Sequence, residues 1–250
     1  MKILTLVAVR LKSSRLPRKA LVDVAGKPLI VRLTERVRQA RLPEAVYWCT
    51  STNPADDPLE ELSKTSPALI YRGDELDVMS RFIEVGWSRG AETLVRVTGD
   101  NPLTDPVMMD HMIAAHRKAG ADYSYTDDLP RGTRCEIMSM DALERCHDMA
   151  EDPASSEYMT LMIRRPDRFK VLKVEAFDPR LKRPELRLTV DYPEDLQVVR
   201  AVFEAFGGAP PPLPEVIAWL DAHADVRDLN AALTPREPEA AINVRLRGDA

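Results

Sequence analysis

The chain has 250 residues, of which 44% are hydrophobic and 30% are charged, an ordinary balance for a globular protein with room for one large domain. The formal net charge of −5 argues against nucleic acid as a partner, and no apolar run is long enough to span a membrane. Cys49, Cys135 and Cys146 lack metal-site spacing, and we expect each to be a small core residue or an exposed thiol.

Apolar runs alternate with helical patterns along the first half of the chain. The opening run, ILTLVAV at 3–9, favours a buried strand over a signal peptide, so a cytoplasmic location is the expectation. Further strands are predicted at 45–50, 68–73 and 92–100, and helices at 28–42, 56–65, 76–90 and 105–120. Pro28 suits a first helical position, Asp105 an N-cap and Gly120 a helix end. Such alternation implies an α/β fold with a mostly parallel sheet and helices on both faces.

The second half departs from strict alternation, which predicts a mixed sheet or an excursion from the main one. Strands are predicted at 121–127, 134–140, 169–177 and 185–191, and helices at 140–150, 154–166, 192–206 and 215–223. His111 and His116 do not share a helix face well, and we expect both at the surface. A Pro-rich connector at 209–214 precedes the last short helix, and the charged stretch at 235–250 lacks a core pattern.

A basic loop, VRLKSSRLPRKALVDVAGKPLI at 9–30, follows the first predicted strand. It holds Arg10, Lys12, Arg15 and Lys19 within ten residues. Parallel sheets bind ligands beyond the carboxyl ends of their strands. Arg15 can grip a phosphate with two parallel hydrogen bonds, and Lys19 adds a mobile point charge. No Gly-rich phosphate fingerprint is present, so side-chain charge would have to help hold the anion; a solvated basic loop is the alternative.

Two aspartates follow predicted strands, Asp100 in VRVTGDNPL and Asp191 in LRLTVDYPEDL. If both strand ends face one crevice, the carboxylates can together hold Mg²⁺, which often binds one or two carboxylates and substrate phosphates. Either aspartate considered alone is typical of a turn or an N-cap. The N-cap alternative applies especially to Asp191. Together with the basic loop, the pair favours a nucleotide site.

The basic loop also carries a longer pattern. The pattern consists of Arg10, Ser13, Arg15, Leu16, Pro17, Lys19, Gly26, Lys27 and Pro28. It resembles the N-terminal signature of the sugar cytidylyltransferases, which include CMP-Kdo synthetase, CMP-acylneuraminate synthetase and the spore-coat polysaccharide biosynthesis protein F group. The segments YRGDELDVMSRF, VRVTGDNPLTDP, ADYSYTD and LRLTVDYPEDL resemble the last group in particular. The resemblance runs from about Lys2 to Phe206.

The resemblance implies a Rossmann-like nucleotidyltransferase fold with a smaller mixed excursion for the acceptor and for dimerisation. It implies one cytidylyltransferase domain at 1–207, with a CTP half at about 1–104 and an acceptor half at about 105–192, followed by the connector, short helix and charged tail at 208–250. The implied activity is Mg²⁺-dependent transfer of CMP from CTP to a sugar or sugar-like acid, with release of pyrophosphate, for surface polysaccharide biosynthesis. The implied partners are CTP, an acidic small-molecule acceptor and a second copy of the chain.

Residue by residue, the resemblance implies four overlapping groups of site positions. The nucleotide-binding positions are Ala8, Val9, Arg10, Leu11, Ser13, Arg15, Lys19, Thr50 and Gly99. The metal ligands are Asp100 and Asp191. The acceptor-binding positions are Arg131, Gly132, Arg134, Glu136 and Glu157. The catalytic set is Arg15, Lys19, Asp100 and Glu157.

Some positions depart from the family pattern. Arg18 stands where the family commonly has glycine, and Arg134 where an acid is usual. The segment SEYMT at 156–160 keeps Glu157 and Thr160 of a family Arg-Glu-His-Val-Thr stretch, but not its arginine and histidine.

The acceptor side admits more than one interpretation. We expect an anionic acceptor gripped by Arg131 or Arg134; the alternative is that these arginines form an exposed network with Asp127 and Asp128. Two other functions stay open, which are transfer to a phosphorylated or phosphonate acceptor and a catalytically silent nucleotide-binding subunit.

Overall fold

The computed structural model describes residues 2–12, 15–234 and 242–249. The strands in these ranges are β1 (Ile3–Ala8), β2 (Asp23–Val24), β3 (Lys27–Pro28), β4 (Ala45–Ser51), β5 (Leu69–Gly73), β6 (Thr93–Thr98), β7 (Tyr123–Tyr125), β8 (Glu136–Ser139) and β9 (Val171–Lys173). The helices are α1 (Leu29–Val37), α2 (Asp57–Ser63), α3 (Val78–Arg89), α4 (Pro106–Ala119), α5 (Met140–Met149), α6 (Met159–Ile163), α7 (Pro193–Ala205), α8 (Leu213–Ala222) and α9 (Ala224–Arg227). Within the described ranges, no helix combines the length and the apolar character that a bilayer crossing requires.

The main sheet of the described residues has seven strands in the order β5-β4-β1-β6-β8-β7-β9, and β2 and β3 form a separate hairpin. β5, β4, β1 and β6 are parallel, β8 runs antiparallel to β6 and β7, and β9 is parallel to β7. The predicted mostly parallel α/β sheet with a mixed second half is confirmed. The chain moves from β1 to one side for β4 and β5, and to the other side for β6. This reversal makes the gap between β1 and β6 the switch point at which such sheets open a crevice.

Strand β1 lies inside the sheet and is buried on both faces. Ile3 and Val7 pack into one core cluster with α1, α4, α7 and α8. Leu4 and Leu6 pack into a second cluster with α3 and α5. Because both faces meet helices, the strand is a continuous apolar run, as expected for a buried parallel strand. The helical layers cover the faces of the sheet and leave the strand ends to form a ligand site.

Helix boundaries mostly follow the capping residues. The Asp105 side chain accepts a hydrogen bond from Met108 N at the start of α4, and Gly120 ends that helix with a φ of 55°, so both predictions are confirmed. The prediction for Pro28 is wrong, because Pro28 belongs to β3 and α1 begins at Leu29. The ψ of Pro28 is 142°, an extended conformation that the hairpin requires.

The predicted strand at 185–191 is wrong. The segment forms one isolated bridge, between Arg131 and Arg187, and Val190 N donates to Asp100 O at 2.9 Å. Arg187 and Thr189 are buried, and so are the alternate residues Leu186 and Leu188. Both sets are buried because the segment crosses the end of the sheet and does not pair along an edge strand. Gly132 permits this crossing, since a Cβ at Gly132 would lie 2.2 Å from Thr189 N.

Other expectations need revision. The helix predicted at 154–166 is a 3₁₀ turn, Pro153–Tyr158, followed by the short α6.

His116 is buried instead of exposed, with Nδ1 2.8 Å from Ser124 Oγ, and burial lowers its pKa to about 4. Leu246 is fully buried and its backbone pairs with Ala150, so part of the charged C-terminal stretch does contribute to the core. Residues 235–241 and 250 of that stretch lie outside the described residues.

All three cysteines are core residues, which confirms the first of the two alternatives for them. Burial raises the pKa of Cys49 and that of Cys146 to about 12. A thiol with such a pKa is a poor nucleophile at neutral pH. The thiols therefore serve packing.

Candidate active site

A cleft of about 640 Å³ opens at the carboxyl ends of β1 and β6, the switch point of the sheet. Its walls come from the basic loop, the turn after β6, the 3₁₀ turn before α6 and the segment that crosses the sheet end. Residues that lie far apart in sequence therefore share one cavity. The predicted site residues that line it are Ala8, Val9, Arg10, Arg15, Lys19, Gly99, Asp100, Arg131, Gly132, Glu157 and Asp191.

Lys19 joins the two aspartates that were predicted as metal ligands. Its Nζ donates to Asp100 Oδ2 at 2.7 Å and to Asp191 Oδ1 at 2.9 Å. Arg15 Nη2 lies 2.8 Å from the same Asp191 oxygen. The Thr98 hydroxyl donates to the other Asp100 oxygen at 2.7 Å. Two carboxylates thus converge on a position that a cation fills.

The environment favours the charged forms of Lys19 and Asp100. Burial opposes the charge on Lys19, but Asp100 and Asp191 outweigh it and raise the pKa of Lys19 above its ordinary value. Burial likewise opposes the charge on Asp100, but Lys19 and the Thr98 hydroxyl hold its pKa below the ordinary value. Both groups therefore keep their charges at neutral pH.

Asp191 can face the cleft because Asp195 caps the following helix. Asp195 is buried in the first turn of α7, where it accepts hydrogen bonds from the N–H groups of Asp191 and Tyr192 at 2.9 and 3.0 Å. Arg187 donates to both Asp195 oxygens, at 2.7 and 2.9 Å, and to Asp191 Oδ2 at 3.1 Å. The N-cap alternative for Asp191 is therefore wrong, and its side chain is held toward Lys19.

The basic loop contains a strained residue just before Lys19. Arg18 has φ 55° and ψ 29°, and it precedes the 3₁₀ turn Lys19–Leu21. Glycine adopts this left-handed region without strain, which accounts physically for the glycine common there in the family. The Arg18 side chain is exposed and is not among the described residues that line the cleft. Its backbone shape, which sets the position of Lys19, is the feature that matters.

Replacing Arg18 with glycine is expected to leave the free energy of unfolding unchanged or to raise it by up to about 1 kcal/mol. Relief of the left-handed strain offsets the extra freedom that glycine gives the unfolded chain. Thermal or denaturant unfolding measures the change, with Lys118→Gly as the control. Lys118 is exposed in the right-handed helix α4, where glycine costs about 1 kcal/mol. An equal decrease in the free energy of unfolding for Arg18→Gly and Lys118→Gly would contradict backbone strain at Arg18.

Part of the predicted acceptor site does line the cleft. Glu157, Arg131 and Gly132 are at its wall. Arg10 Nη2 donates to Glu157 Oε2 at 2.6 Å, which ties the basic loop to the 3₁₀ turn before α6. The predicted CTP half and the predicted acceptor half of the chain thus meet at this ion pair.

Arg134 and Glu136 lie beside the cleft and do not line it. Arg134 Nε and Nη2 donate to Leu129 O at 2.8 and 2.6 Å, and its Nη1 is 3.9 Å from Asp127. These contacts fit the alternative of a local network, and acceptor binding by Arg134 stays a prediction. Glu136 accepts from Arg96 at 2.6 Å, so it supports an arginine that does line the cleft.

Two of the remaining predicted nucleotide positions, Leu11 and Thr50, do not line the cleft. Leu11 and Thr50 are buried, and Leu11 N donates to Asp56 Oδ1 at 2.7 Å, which anchors the start of the basic loop. Ser13 lies outside the described residues. Any contact of these three with a nucleotide stays a prediction.

Sequence reasoning missed three arginines, Arg81, Arg96 and Arg187. Arg81 and Arg96 line the cleft, and Arg187 positions Asp191. Arg96 and Arg187 interrupt the apolar runs LVRV and LRLTV. A lone charge inside a buried run was the signal that could have found them, because such a charge requires a partner. Arg81 lies in a helix with mixed polarity and had no comparable signal.

Comparison with known proteins agrees with this geometry. A family model described as cytidylyltransferase matches residues 4–206. The chain belongs to the cytidylyltransferase family. Its membership confirms the predicted family and the prediction that the chain is a nucleotidyltransferase enzyme.

This cytidylyltransferase is similar to named proteins and to solved structures. It is 32% identical over 244 residues to the spore coat polysaccharide biosynthesis protein SpsF of Bacillus subtilis, across 95% of this chain and 99% of that protein. It is 36% identical over 122 residues to a 3-deoxy-manno-octulosonate cytidylyltransferase of Geobacter sulfurreducens, across 46% of this chain and 45% of that one. A cytidylyltransferase structure from Leptospira borgpetersenii shares the fold, with a TM-score of 0.84 at 21% identity over 95% of this chain and 100% of the other.

Proposed function

We propose that this cytidylyltransferase transfers CMP from CTP to a sugar or sugar-like acid, with release of pyrophosphate, for surface polysaccharide biosynthesis. The observation that carries the proposal is the Lys19 ammonium held between Asp100 and Asp191 at the switch point. A triphosphate with its metal ion needs this combination of cations and carboxylates in one crevice. The similarity to the spore coat polysaccharide biosynthesis protein of Bacillus subtilis and to the 3-deoxy-manno-octulosonate cytidylyltransferase of Geobacter sulfurreducens supports the product class.

The nucleotide is proposed to lie over the carboxyl end of β1. Arg15 and Lys19 exchange their carboxylate partners for phosphate oxygens, Arg15 through its two-pronged fork. Gly99 lets the turn after β6 pack closely against the end of β1, since a Cβ at Gly99 would lie 2.9 Å from Val9 Cβ. Ala8 and Val9 line the cleft beside this turn.

The residues present fit Mg²⁺. Asp100 and Asp191 supply hard carboxylate oxygens around a position that the Lys19 ammonium fills. Among the described residues, no cluster of three or more His, Cys, Asp or Glu side chains forms a metal site of its own. A pair of carboxylates completed by phosphate oxygens and water is how Mg²⁺ usually binds beside nucleotides. We propose that Asp100 and Asp191 hold the ion, which supplies charge neutralisation at the phosphates when it is bound.

Lys19→Met is expected to raise the affinity of the nucleotide-free protein for Mn²⁺ by about tenfold or more, because it removes an ammonium that competes for both carboxylates. Turnover should fall at the same time, because a phosphate contact is lost. Titration of Mn²⁺ followed by electron paramagnetic resonance measures the affinity without any enzymatic readout.

The matched control for this experiment is Lys27→Met. Lys27 pairs with Glu35 at an exposed position away from the cleft, so Mn²⁺ affinity is expected to stay at the wild-type value. Unchanged or weaker Mn²⁺ binding by Lys19→Met would show that Asp100 and Asp191 do not form a cation site.

The acceptor is proposed to bind beside Glu157, Arg131 and Gly132. Arg131 supplies positive charge for an acidic group on the acceptor, and Gly132 lets the backbone of Thr189 pack directly against the same loop. We assign to Glu157 a hydrogen bond from the attacking hydroxyl. Holding that hydroxyl toward the α-phosphorus supplies much of the rate in a transfer reaction.

In the proposed reaction the acceptor oxygen bonds to the α-phosphorus, its proton passes to the Glu157 carboxylate, and the bond to pyrophosphate breaks. The residues of the cleft contribute positioning and charge, which are the main requirements of such transfers. Arg15 and Lys19 stabilise the charge that develops on the leaving pyrophosphate. No covalent intermediate with the protein is required.

The test is an acceptor panel with CTP and Mg²⁺, in which pyrophosphate release and the product mass are both measured. Acidic sugars are expected to turn over, and neutral sugars much less. A product with a diphosphate linkage would instead favour a phosphorylated or phosphonate acceptor. CTP binding with no turnover on any acceptor would favour a catalytically silent nucleotide-binding subunit.

Assembly and location complete the proposal. The homodimer implied by the family resemblance is checked by light scattering of the purified chain. The cytoplasmic location is checked by fractionation of cells that express the full protein.

A further inference from the structure

The C-terminal segment 242–249 lies beyond the matched family region, which ends at residue 206, yet it reaches the cleft. Ile242, the first described residue of the segment, is among the residues that line the cleft. Its side chain is partly buried. A residue from outside the family match therefore contributes to the wall of the site.

The segment is fixed to the body of the protein by its own backbone and core contacts. Leu246 is fully buried in the core cluster that includes α3 and α5, and its backbone forms an antiparallel bridge with Ala150. Glu151 N donates to Arg245 O at 3.1 Å in the same pairing. These contacts hold the segment against the chain that leaves α5.

A cluster of ion pairs fixes the far end of the segment. Arg165 donates to both carboxylate oxygens of Asp249, at 3.0 and 3.1 Å, and Arg168 donates to one of them at 3.3 Å. Asp249 also accepts a hydrogen bond from Leu246 N at 3.0 Å. A two-pronged bond from an arginine fixes orientation as well as position. The segment is therefore held at two places, by the buried leucine and by the terminal carboxylate.

The direction of the pairing carries the segment toward the 3₁₀ turn that bears Glu157. In an antiparallel pair, a step back along one chain accompanies a step forward along the other. Leu246 faces Ala150, so the preceding residues of the segment continue toward the turn Pro153–Tyr158. Ile242 and Glu157 both line the cleft, which agrees with this direction. Ile242 thus belongs to the side of the cleft proposed for the acceptor.

Ile242 adds accessible apolar surface to a cleft that is rich in charge. Seven lysine and arginine side chains line the cleft. Val9 and Val78 line it as well, but they are 6% and 5% exposed, so nearly all of their apolar surface is already covered. Ile242 keeps part of its side chain accessible. Binding sites for small molecules commonly combine apolar walls with a few polar groups, and a sugar acid presents both an anionic group and a face of C–H groups.

We infer that Ile242 contacts the C–H face of the bound acceptor, and that segment 242–249 holds it there. This inference rests on the proposed function and adds an acceptor contact from outside the family match. Arg131 takes the acidic group in that proposal, so the two residues together favour an acceptor with an anionic group and an apolar face. Covering the C–H groups of the acceptor contributes affinity in proportion to the apolar area removed from water.

The first experiment measures steady-state kinetics of the full chain for the wild type, Ile242→Ala and Ile242→Val. The second substrate is the acidic sugar of the acceptor panel that the wild type turns over fastest. Ile242→Ala is expected to raise the KM for that sugar about tenfold and to leave kcat within about twofold, because the lost contact stabilises the ground state and the transition state equally. Ile242→Val keeps most of the side chain and should stay within about threefold of the wild-type KM.

The controls separate the acceptor from the nucleotide and from general packing. Calorimetric affinity for CTP is expected to stay within about twofold of the wild type in both variants, since phosphate contacts come from other residues. Leu161→Ala removes an apolar side chain that is 44% exposed on α6 and that is not among the described residues lining the cleft. Its KM for the sugar should equal the wild-type value.

A second measurement uses the burial of all three native cysteines. N-ethylmaleimide is expected to spare the wild type and to modify Ile242→Cys, because only the new thiol is accessible. The modified protein should bind CTP as before and lose turnover of the acidic sugar. Arg245→Cys is the control, since Arg245 is exposed on the same segment and is not among the described residues lining the cleft. Its modification should leave turnover unchanged.

Four results would overturn the inference. An unchanged sugar KM in Ile242→Ala would do so, as would full turnover after modification of Ile242→Cys. A fall in kcat with an unchanged KM would show that the segment only supports the turn that bears Glu157. A loss of CTP affinity as large as the change in sugar KM would place Ile242 at the nucleotide instead. A wild type that turns over no acidic sugar would refute the proposed function itself, whatever the variants do.

Discussion

Asp100→Asn and Asp191→Asn are each expected to lower kcat by about 10³-fold or more, which is about 4 kcal/mol of transition-state stabilisation. Each change keeps the shape of the side chain and removes the charge that now faces Lys19. CTP binding should survive, because Lys19 and Arg15 lose a competing carboxylate and keep their own charges. Pyrophosphate release at saturating Mg²⁺ and CTP gives kcat, and calorimetry gives the affinity for CTP.

The control for both substitutions is Glu61→Gln. Glu61 pairs with Lys64 at 2.7 Å on the exposed surface of the protein, so the same loss of charge is made away from the cleft. Wild-type turnover is expected for this variant. If Asp100→Asn and Asp191→Asn also kept near-normal turnover, the assignment of these carboxylates to the metal would be wrong.

Asp195→Ala is expected to lower the free energy of unfolding by about 3–5 kcal/mol. Asp195 is fully buried and accepts hydrogen bonds from Arg187, Asn230 and two backbone N–H groups. Its removal leaves a buried guanidinium with part of its charge unpaired and leaves an amide donor without its acceptor. Urea unfolding measures the loss, and turnover should fall as well because Asp191 loses its anchor.

Glu194→Ala is the matched control for that experiment. Glu194 is the neighbouring residue in the first turn of α7, but it is exposed. Its substitution is expected to change stability by less than about 0.5 kcal/mol. Similar losses for Asp195→Ala and Glu194→Ala would mean that the buried network contributes no more than an ordinary helix end.

The sequence predicted the first half of the fold well because that half is locally encoded. Runs such as ILTLVAV are apolar on both faces, and helix ends carry their own caps, as at Asp105 and Gly120. The second half depends on contacts between distant segments. The alternation in LRLTV is typical of a strand, yet the segment crosses the sheet end because Gly132 admits it there. Periodicity does not contain that information.

The site was predictable where residue type and strand end coincide. Arg15, Lys19, Asp100 and Asp191 were all expected in one crevice, and they all line the cleft. The ion pairs among them were not predictable, because they depend on distances that the fold alone sets. Arg81 was missed for the same reason, since a helical arginine in a polar pattern is ordinarily a surface residue.

The pairing of Lys19 and Arg15 with carboxylates also bears on how fast a nucleotide arrives. Attraction over long distances depends on the summed charge of a region, and here the cations of the basic loop face Asp100, Asp191 and Glu157. These three carboxylates offset only part of the positive charge, because seven lysine and arginine side chains line the cleft. Association of a polyphosphate therefore gains from electrostatic steering, which salt screens beyond about 8 Å at physiological ionic strength. The protein distinguishes among anions at contact, when phosphate oxygens replace the carboxylates one by one. Differences in affinity between anions are therefore expected mainly in their dissociation rates.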